Sequence, residues 1–305
     1  MSELLIVGAG PAGVTAALWA RTLSLRFTLL EGSPRAGGQL HWIHFHPGEL
    51  PGVAEGDGAS IAATMARQLA EAGGDLRFGV TATALEPPRG TAPAAVLDAA
   101  GVRHQAPAIL IATGVRRRRL GVPGERELED RGVSYSGTRD RGRLAGRSVL
   151  VVGGGDAGFE NAIILSAAGC EVTLAVRGPS RARREFRERV AADPRITVLE
   201  DTQVAAILGD EAVRAVRLEG PAGVRELPVA GVVVKIGTEP NTGWCAGVLD
   251  HDEEGHLRVD GRGRTSMPGV WAAGDVTRPL LPSLSVAAGT AATAVADIRR
   301  TLRGE

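Results

Sequence analysis

A glycine cluster near the start of the chain has the spacing of a phosphate-binding turn. Residues 8–13 are Gly-Ala-Gly-Pro-Ala-Gly and follow the apolar run Leu4–Val7. In such a turn the first glycine bends the chain, the second admits a pyrophosphate, and the third brings a helix close to its strand. Free N–H groups at the helix N-terminus then bind phosphate oxygens. The cluster predicts a dinucleotide site formed by Gly8, Gly10, Pro11, Ala12 and Gly13.

An acidic residue follows at the distance that such a site requires. Glu31 ends a second apolar run, Phe27–Leu30, roughly 20 residues beyond the turn. A carboxylate at this position accepts hydrogen bonds from the two hydroxyls of a ribose. Strand, turn, helix and acid together favour dinucleotide binding over an ordinary glycine-rich turn.

The same glycine spacing returns in the middle of the chain. Residues 153–158 are Gly-Gly-Gly-Asp-Ala-Gly and follow the apolar run Ser148–Val152. Here the ribose position is Val176, with Arg177 next, and an arginine can bind a 2′-phosphate. This favours NADP(H) over NAD(H), with contacts from Gly153, Gly155, Asp156, Ala157, Arg177 and Arg181. The alternative is a site that has lost its ligand and persists for packing.

The elements that must position these residues form two β-α-β units. Each unit has short, continuous apolar strands, which is typical of a parallel sheet buried on both faces. Short strand patterns fill residues 75–111 and 213–236, which predicts small antiparallel additions to each unit. The expected fold class is therefore α/β, with two Rossmann-like, three-layer dinucleotide-binding domains. Residues 121–147, rich in Gly, Arg and Asp, are interpreted as an inter-domain connection.

Composition excludes several classes of protein. The 305 residues are 44% apolar and 23% charged, as in globular domains, and 35 basic residues balance 35 acidic ones. This balance argues against nucleic acid or an anionic membrane as a partner. Two cysteines, Cys170 and Cys245, cannot build a disulfide framework, which fits a reducing cytoplasm. We see no targeting leader and no apolar run long enough to span a membrane.

Three further motifs identify a family resemblance. They are Gly37-Gly38-Gln39-Leu40, Ala112-Thr113-Gly114 and Ala273-Gly274-Asp275. Together with the two glycine clusters, in this order, they resemble the low-molecular-weight thioredoxin reductases across essentially the whole chain. The resemblance implies an FAD domain made of residues 1–115 and 245–305. It also implies an NAD(P)-binding-like domain, residues 116–244, inserted into the first, and a homodimer.

The resemblance also implies further FAD contacts. Gly38, Gln39 and Leu40 would hold the flavin, and Asp275 after Gly274 would bind the ribityl or phosphate portion. A helix that begins near Ser283 and Leu284 would point its N-terminus at flavin N1 and O2, where negative charge develops on reduction. The segment Ala112, Thr113 and Gly114 completes the implied site.

The chain departs from this family at the redox centre. Thioredoxin reductases have Cys-x-x-Cys followed by an acid, whereas residues 135–140 here are Tyr-Ser-Gly-Thr-Arg-Asp. Ser136 and Arg139 occupy the cysteine positions, and Asp140 alone remains as a catalytic candidate. Without a thiolate there is no disulfide exchange. We expect Arg139 to pair with Asp140 or to place positive charge near the flavin; alternatively both residues line a gap.

Two other segments of the sequence each allow more than one interpretation. The family's His-Arg-Arg corresponds to Val176-Arg177-Gly178, and Arg181, Arg183 and Arg184 either compensate or form a solvated helix face. The residues His41, Trp42, His44 and His46 follow the Gly-Gly-Gln motif. They either stack near the flavin or form a plain surface or dimer loop, and we predict no metal site there.

The leading hypothesis is a cytoplasmic, FAD-dependent oxidoreductase without a redox disulfide. It would pass reducing equivalents between NAD(P)H and a non-dithiol acceptor, either a small molecule or a redox protein. One alternative is a ferredoxin–NADP or flavodoxin–NADP reductase. Another is a flavin-binding redox sensor whose pyridine-nucleotide site no longer functions.

Overall fold

The computed structural model describes residues 2–305 and divides into two compact units. Unit 1 combines the chain up to Arg116 with Glu239–Glu305, and unit 2 is the continuous segment Arg117–Thr238. The chain therefore begins unit 1, builds unit 2 and returns to complete unit 1.

The helices and strands follow one another in a regular order. The first part of the chain has β1 (Leu4–Val7), α1 (Pro11–Thr22), β2 (Phe27–Glu31), α2 (Gly58–Glu71), β3 (Asp75–Phe78), β4 (Ala82–Glu86), β5 (Ala95–Asp98), β6 (Arg103–Gln105), β7 (Ala108–Ile111) and β8 (Val115–Arg117). Next come β9 (Val133–Ser134), α3 (Gly137–Leu144), β10 (Ser148–Val152), α4 (Asp156–Ala167), β11 (Glu171–Ala175), α5 (Arg184–Ala191), β12 (Ile196–Leu199), β13 (Gln203–Gly209), β14 (Val213–Gly220), β15 (Gly223–Pro228) and β16 (Gly231–Val234). The last elements are β17 (Thr238–Pro240), β18 (Val270–Ala272) and α6 (Leu284–Arg303).

A parallel sheet forms the centre of unit 1, with strand order β18-β7-β1-β2-β3. Successive side chains of a strand point to opposite faces. Leu4 and Ile6 accordingly pack with α1 and α6, whereas Leu5 and Val7 pack toward the antiparallel sheet β4-β5-β6. Because both faces are covered, β1 is apolar at every position.

Unit 2 repeats this architecture with different strands. Its parallel sheet has the order β12-β11-β10-β16-β9, and β13-β14-β15 form an antiparallel sheet. Val149 and Val151 pack against α4, whereas Leu150 and Val152 pack toward the antiparallel sheet. Each unit thus has helices on one face of a parallel sheet and antiparallel strands on the other. The expected fold class, α/β with two Rossmann-like domains of three layers, is confirmed.

The interpretation of residues 121–147 as a connection is wrong. This segment contains β9 and α3 and lies within unit 2. Val133 is fully buried and pairs with Val232, so β9 forms the edge of the parallel sheet. The polar composition misled the prediction because only the two residues of β9 enter the sheet. In the described part of the chain, no helix is long and apolar enough to cross a membrane.

Candidate functional site

The first glycine turn has the geometry of a nucleotide-binding loop. Gly8 has φ +107°, and a Cβ there would lie 2.5 Å from the Ala112 carbonyl oxygen. A Cβ on Gly13 would lie 1.8 Å from the Gly8 oxygen, so α1 packs too closely for any larger residue. A Cβ on Gly10 would meet nothing within 4 Å. The backbone between β1 and α1 is therefore open at the position where a pyrophosphate could approach.

Glu31 lies beside this turn at the carboxyl end of β2. Its Oε2 accepts a hydrogen bond from the Ala9 N–H at 2.6 Å, and its Oε1 accepts one from the Ser33 N–H at 2.7 Å. These bonds orient the carboxylate without using all of its lone pairs. Both oxygens keep acceptor capacity for ribose hydroxyls.

The Gly-Gly-Gln-Leu motif lies against the same turn. The Gly37 N–H donates to the Ala9 carbonyl at 2.8 Å, and a Cβ on Gly38 would lie 3.1 Å from the Gly10 Cα. A 3₁₀ helix, Gly38–Trp42, begins here and buries Leu40. Gln39 donates from Nε2 to the Val115 carbonyl at 2.7 Å, which fixes its amide. The motif thus lies beside the open position at Gly10.

The Ala-Thr-Gly motif follows β7 and is held by a residue that the sequence did not single out. The Thr113 hydroxyl donates to the Asn241 carbonyl at 2.9 Å, and the Asn241 amide donates to the Thr113 carbonyl at 2.8 Å. Asn241 belongs to none of the motifs recognised in the sequence. Its partner is 128 residues away, so no local pattern could identify it.

The Ala-Gly-Asp motif brings a carboxyl group to the same edge of the sheet. A Cβ on Gly274 would lie 2.9 Å from the Ala12 Cβ, which places the end of β18 against α1. Burial raises the pKa of Asp275, with the nearby His256 acting in the opposite direction. Within residues 2–305, no hydrogen bond reaches the Asp275 carboxyl. A partly buried carboxyl group without a protein partner fits a ligand that supplies hydroxyl donors.

The helix expected near Ser283 is α6. Its N-terminal cap is Ser283, whose hydroxyl oxygen accepts a hydrogen bond from the Val286 N–H at 3.3 Å. Leu284 is the first residue of the helix, and its side chain packs on the cluster around Leu40. The start of α6 therefore lies near the 3₁₀ helix that follows Gly38.

The second glycine turn repeats the geometry of the first. Gly153 has φ +144°, and a Cβ there would lie 2.1 Å from the Lys235 carbonyl oxygen. A Cβ on Gly158 would lie 2.1 Å from the Gly153 oxygen, so α4 also packs closely. A Cβ on Gly155, like one on Gly10, would meet nothing within 4 Å. Ala157 lies in the first turn of α4 with its N–H near this opening.

The arginines near the second turn separate into two groups. Arg183 pairs with Asp156 at 2.7 Å, and Arg184 pairs with Glu188 at 2.6 Å. Arg177 and Arg181 are exposed, and within residues 2–305 neither guanidinium has a hydrogen bond or ion pair. Two cations therefore stay available beside the turn, while Arg183 neutralises the acid at the start of α4.

The segment in place of the redox cysteines forms a helix cap. Ser136 precedes α3, and its hydroxyl oxygen accepts a hydrogen bond from the Arg139 N–H at 3.3 Å. The Gly137 N–H donates to Oδ1 of Asn161 at 2.8 Å, which joins α3 to α4. Ser136 therefore has a structural role as the N-terminal cap of α3.

Arg139 and Asp140 form the ion pair expected as one alternative. Arg139 donates to the Asp140 Oδ2 from Nε at 3.0 Å and from Nη2 at 2.8 Å, and it also pairs with Asp130 at 2.8 Å. Ser134 donates to the same carboxylate, and Arg143 lies 3.3 Å from Oδ1. Burial raises the pKa of Asp140, but the hydrogen bonds from Arg139 and Ser134 outweigh it, and the pKa is below its usual value.

Both cysteines are buried and reduced. Cys170 donates from Sγ to the Leu144 carbonyl at 3.0 Å, and Cys245 donates to the Thr242 carbonyl at 3.2 Å. Burial raises the pKa of the Cys170 thiol and raises that of Cys245 to about 11. At neutral pH each is a thiol and not the thiolate that disulfide exchange needs.

In the histidine-rich loop, the side chains of His41 and His46 bond to different backbone carbonyl groups. His41 donates to the Ala36 carbonyl at 2.8 Å, and His46 bonds the Gly56 carbonyl at 2.9 Å. Trp42 is 48% exposed. No group of three or more His, Cys, Asp or Glu in the described residues could hold a metal ion.

Comparisons with known proteins agree with this geometry. A profile of the pyridine nucleotide-disulphide oxidoreductases matches residues 2–295. A thioredoxin reductase of Streptomyces coelicolor is 36% identical over 303 residues, which cover 97% of this chain and 92% of that protein. An NADH dehydrogenase of Ferdinandcohnia aciditolerans is 31% identical over 96% of this chain and 56% of that protein. The crystal structure of Lactococcus lactis thioredoxin reductase has a TM-score of 0.83 at 27% identity and covers 100% of both chains.

These similarities extend over both units and do not depend on one motif. Thioredoxin reductases bind FAD and NADPH, the two cofactors expected from the sequence. The chain belongs to the pyridine nucleotide-disulphide oxidoreductases and, within them, is thioredoxin reductase-like.

Proposed function

We propose that the protein is an FAD-dependent oxidoreductase that passes reducing equivalents between NAD(P)H and an acceptor other than a dithiol. The observation that carries this proposal is the Arg139–Asp140 ion pair at the position of the family's redox disulfide. Arginine has no nucleophilic lone pair, and the Ser136 hydroxyl is engaged as a helix cap. Disulfide reduction requires an attacking thiolate and a resolving sulfur, and this segment supplies neither.

Unit 1 would hold the FAD along the carboxyl edge of its parallel sheet. The open backbone at Gly10 fits a pyrophosphate, and the oriented Glu31 carboxylate fits the adenosine ribose. The unpartnered Asp275 carboxyl fits the ribityl or phosphate portion, as an acceptor for hydroxyl groups. The proposed contacts are Gly8, Gly10, Pro11, Ala12, Gly13, Glu31, Gly38, Gln39, Leu40, Ala112, Thr113, Gly114, Gly274, Asp275, Ser283 and Leu284. When bound, the flavin supplies hydride and electron transfer.

Unit 2 would bind the nicotinamide nucleotide at its own glycine turn. The open position at Gly155 supports this, as do the unpaired guanidinium groups of Arg177 and Arg181. A guanidinium recognises a 2′-phosphate through charge-assisted hydrogen bonds, so we propose a preference for NADPH over NADH. Gly153, Asp156 and Ala157 complete the proposed contacts.

Asp140 is proposed as a positioning residue and not as a proton donor. Its lowered pKa keeps the carboxyl ionised at neutral pH, where it has no proton to give. Its oxygens already accept hydrogen bonds from Arg139 and Ser134. The carboxylate therefore holds the start of α3 in place.

The acceptor is a small molecule or a redox protein, and one experiment separates the main hypotheses. Purified protein is mixed with NADPH without oxygen, and the flavin absorbance is followed by stopped flow. Rapid bleaching supports an NADPH oxidoreductase. No bleaching at millimolar NADPH favours the redox sensor with a non-functional nucleotide site.

A steady-state screen then identifies the acceptor. NADPH oxidation is measured with quinones, ferricyanide, oxygen, ferredoxin, flavodoxin and thioredoxin. Turnover with ferredoxin or flavodoxin alone would select that alternative, and robust turnover with thioredoxin would overturn the proposal.

The homodimer and the cytoplasmic location are also proposed. Exposed apolar side chains of Phe45, Leu280 and Leu281 support a protein contact on unit 1, which light scattering can test.

A further inference from the structure

A hairpin of unit 1 brings a histidine near the Ala-Gly-Asp motif. The hairpin consists of residues 251–257, and its two ends pair in an antiparallel bridge. The Leu257 N–H donates to the Val276 carbonyl at 2.9 Å, which joins the hairpin to the short 3₁₀ helix that contains Asp275. His256 precedes Leu257 and interacts electrostatically with Asp275. The hairpin therefore holds His256 near the carboxyl group that is proposed to bind FAD.

The other carboxylate near His256 has partners of its own. Asp252 accepts hydrogen bonds from the N–H groups of Glu254 and His256, each at 2.9 Å, and from Arg278 at 3.2 Å. Arg278 also pairs with Glu254 at 2.7 Å. Burial raises the pKa of Asp252, but these hydrogen bonds outweigh it and bring the pKa to about 2, and the charge of the His256 ring is the smallest contribution. Asp252 is therefore ionised without help from that ring.

The His256 ring is buried without a hydrogen bond to its Nδ1. His256 is 7% exposed, and within residues 2–305 its Nδ1 has no hydrogen-bond partner. The nearest carboxylate oxygen, Oδ1 of Asp252, is 3.6 Å from Nδ1, which is too far for a hydrogen bond. A buried polar atom without a partner is costly, so a histidine in such a place needs an explanation.

The charge state of Asp275 supplies that explanation. Burial raises the pKa of Asp275, and His256 acts in the opposite direction. A histidine ring carries a positive charge in the acidic range where carboxyl groups titrate. An ionised carboxylate is purely an acceptor of hydrogen bonds, whereas a protonated one uses one of its oxygens as a donor. A ligand that offers hydroxyl donors therefore binds best when Asp275 is ionised.

We propose that His256 is a positioning residue of the FAD site, whose positive charge keeps Asp275 as the carboxylate that accepts hydrogen bonds from the ribityl hydroxyls. The hairpin supplies this charge from the protein side, and the carboxyl group stays available to the cofactor. The proposal rests on the proposed function, in which Asp275 binds FAD. It predicts that the affinity for FAD depends on pH and that His256 sets how far into the acidic range the protein retains FAD.

The test measures how tightly the protein holds FAD at two pH values. Holoprotein is diluted at pH 5 and at pH 8, and the released FAD is quantified by its fluorescence. His256→Asn keeps a polar side chain but removes the cation. We expect it to raise the FAD dissociation constant about 3- to 30-fold at pH 5, because a buried carboxyl group then gains its proton more readily. At pH 8, where carboxyl groups are ionised with or without a nearby cation, the change should be less than about twofold.

Two controls separate the charge from the structure of the hairpin. His251 lies in the same hairpin and donates from Nδ1 to the Leu249 carbonyl at 2.7 Å. His251→Asn should leave the FAD dissociation constant within about twofold at both pH values. Asp275→Asn cannot ionise and should itself weaken FAD about 10- to 150-fold at pH 8. In the Asp275→Asn background, His256→Asn should add no further loss at pH 5.

The outcomes distinguish a charge effect from a structural one. Equal weakening by His256→Asn at pH 5 and pH 8, or weakening that persists in Asp275→Asn, would assign His256 a purely structural role and overturn the proposal. Unchanged affinity of His256→Asn and of His256→Gln at pH 5, with FAD weakened in Asp275→Asn, would also overturn it and leave the FAD site intact. If Asp275→Asn retains FAD normally at both pH values, the proposed contact between Asp275 and FAD fails, and the role of His256 fails with it.

Discussion

The ion pair in place of the redox cysteines makes a sharp prediction for stability. Replacing Arg139 by Met leaves the Asp140 carboxylate, which is 9% exposed, with Ser134 and Arg143 as its remaining partners. Hydrogen bonds to a charged group contribute about 1.5–3 kcal/mol, and breaking a fully buried pair costs about 3–5 kcal/mol. Because Arg139 is 29% exposed and other donors remain, we expect a loss of about 2 kcal/mol in unfolding free energy.

Urea unfolding followed by far-ultraviolet circular dichroism measures this loss. A matched control is Arg184→Met, because Arg184 and Glu188 are 81% and 60% exposed and sit one helical turn apart. Such a pair contributes about 0.3–0.5 kcal/mol. In a thermal scan, Arg139→Met should lower Tm by about 4–8 °C. If Arg139→Met and Arg184→Met lose the same amount of unfolding free energy, the reasoning is refuted.

The pH dependence of the unfolding free energy of Arg139→Met gives an independent check of the ion pair. The folded-state pKa of Asp140 is below its unfolded value, so its ion pair contributes stability above about pH 4. That contribution is lost as the pH falls through the folded-state pKa. The difference in unfolding free energy between the unmodified protein and Arg139→Met should therefore narrow below about pH 4. A difference that grows toward acid would contradict the assignment.

Three further predictions concern the cofactor sites and the cysteines. Glu31→Ala should raise the FAD dissociation constant about 5- to 150-fold, measured by flavin fluorescence after dilution, and unchanged retention would exclude Glu31 from the site. Arg177→Ala should narrow the preference for NADPH over NADH about 10- to 150-fold in flavin reduction, whereas Arg184→Ala should leave it unchanged. Cys170 and Cys245 should resist an aromatic disulfide reagent at pH 7–8 and react after unfolding, because burial keeps both as thiols. Fast labelling of the folded protein would contradict this.

Most of what the sequence predicts about unit 1 comes from the spacing of residues that are close together in the chain. The apolar run Leu4–Val7 and the glycines at positions 8, 10 and 13 predict a strand, a turn and a closely packed helix within one short stretch of the sequence. The Gly8–Gly13 contact needs only a turn between a strand and a helix. Such features are visible in a sequence because the interacting residues are a few positions apart.

The features that the sequence did not reveal depend on distant partners. The helix α3 has the sequence Gly-Thr-Arg-Asp-Arg-Gly-Arg-Leu, and its two glycines and few apolar residues argue against a helix. Ser136 caps it and Arg139 pairs with Asp140, but its first N–H binds Asn161, which is 24 residues away in the sequence.

The discontinuity of unit 1 constrains how the chain can fold as it is synthesised. Residues up to Arg116 leave the ribosome first, but β18 and α6 belong to the same core and follow Thr238. Until they emerge, the free edge of β7 and the apolar side of α1 stay uncovered. Unit 2 is continuous and can close its sheet earlier. A nascent chain arrested before Val270 would therefore have a complete unit 2 inserted into an incomplete unit 1 that still exposes apolar surface.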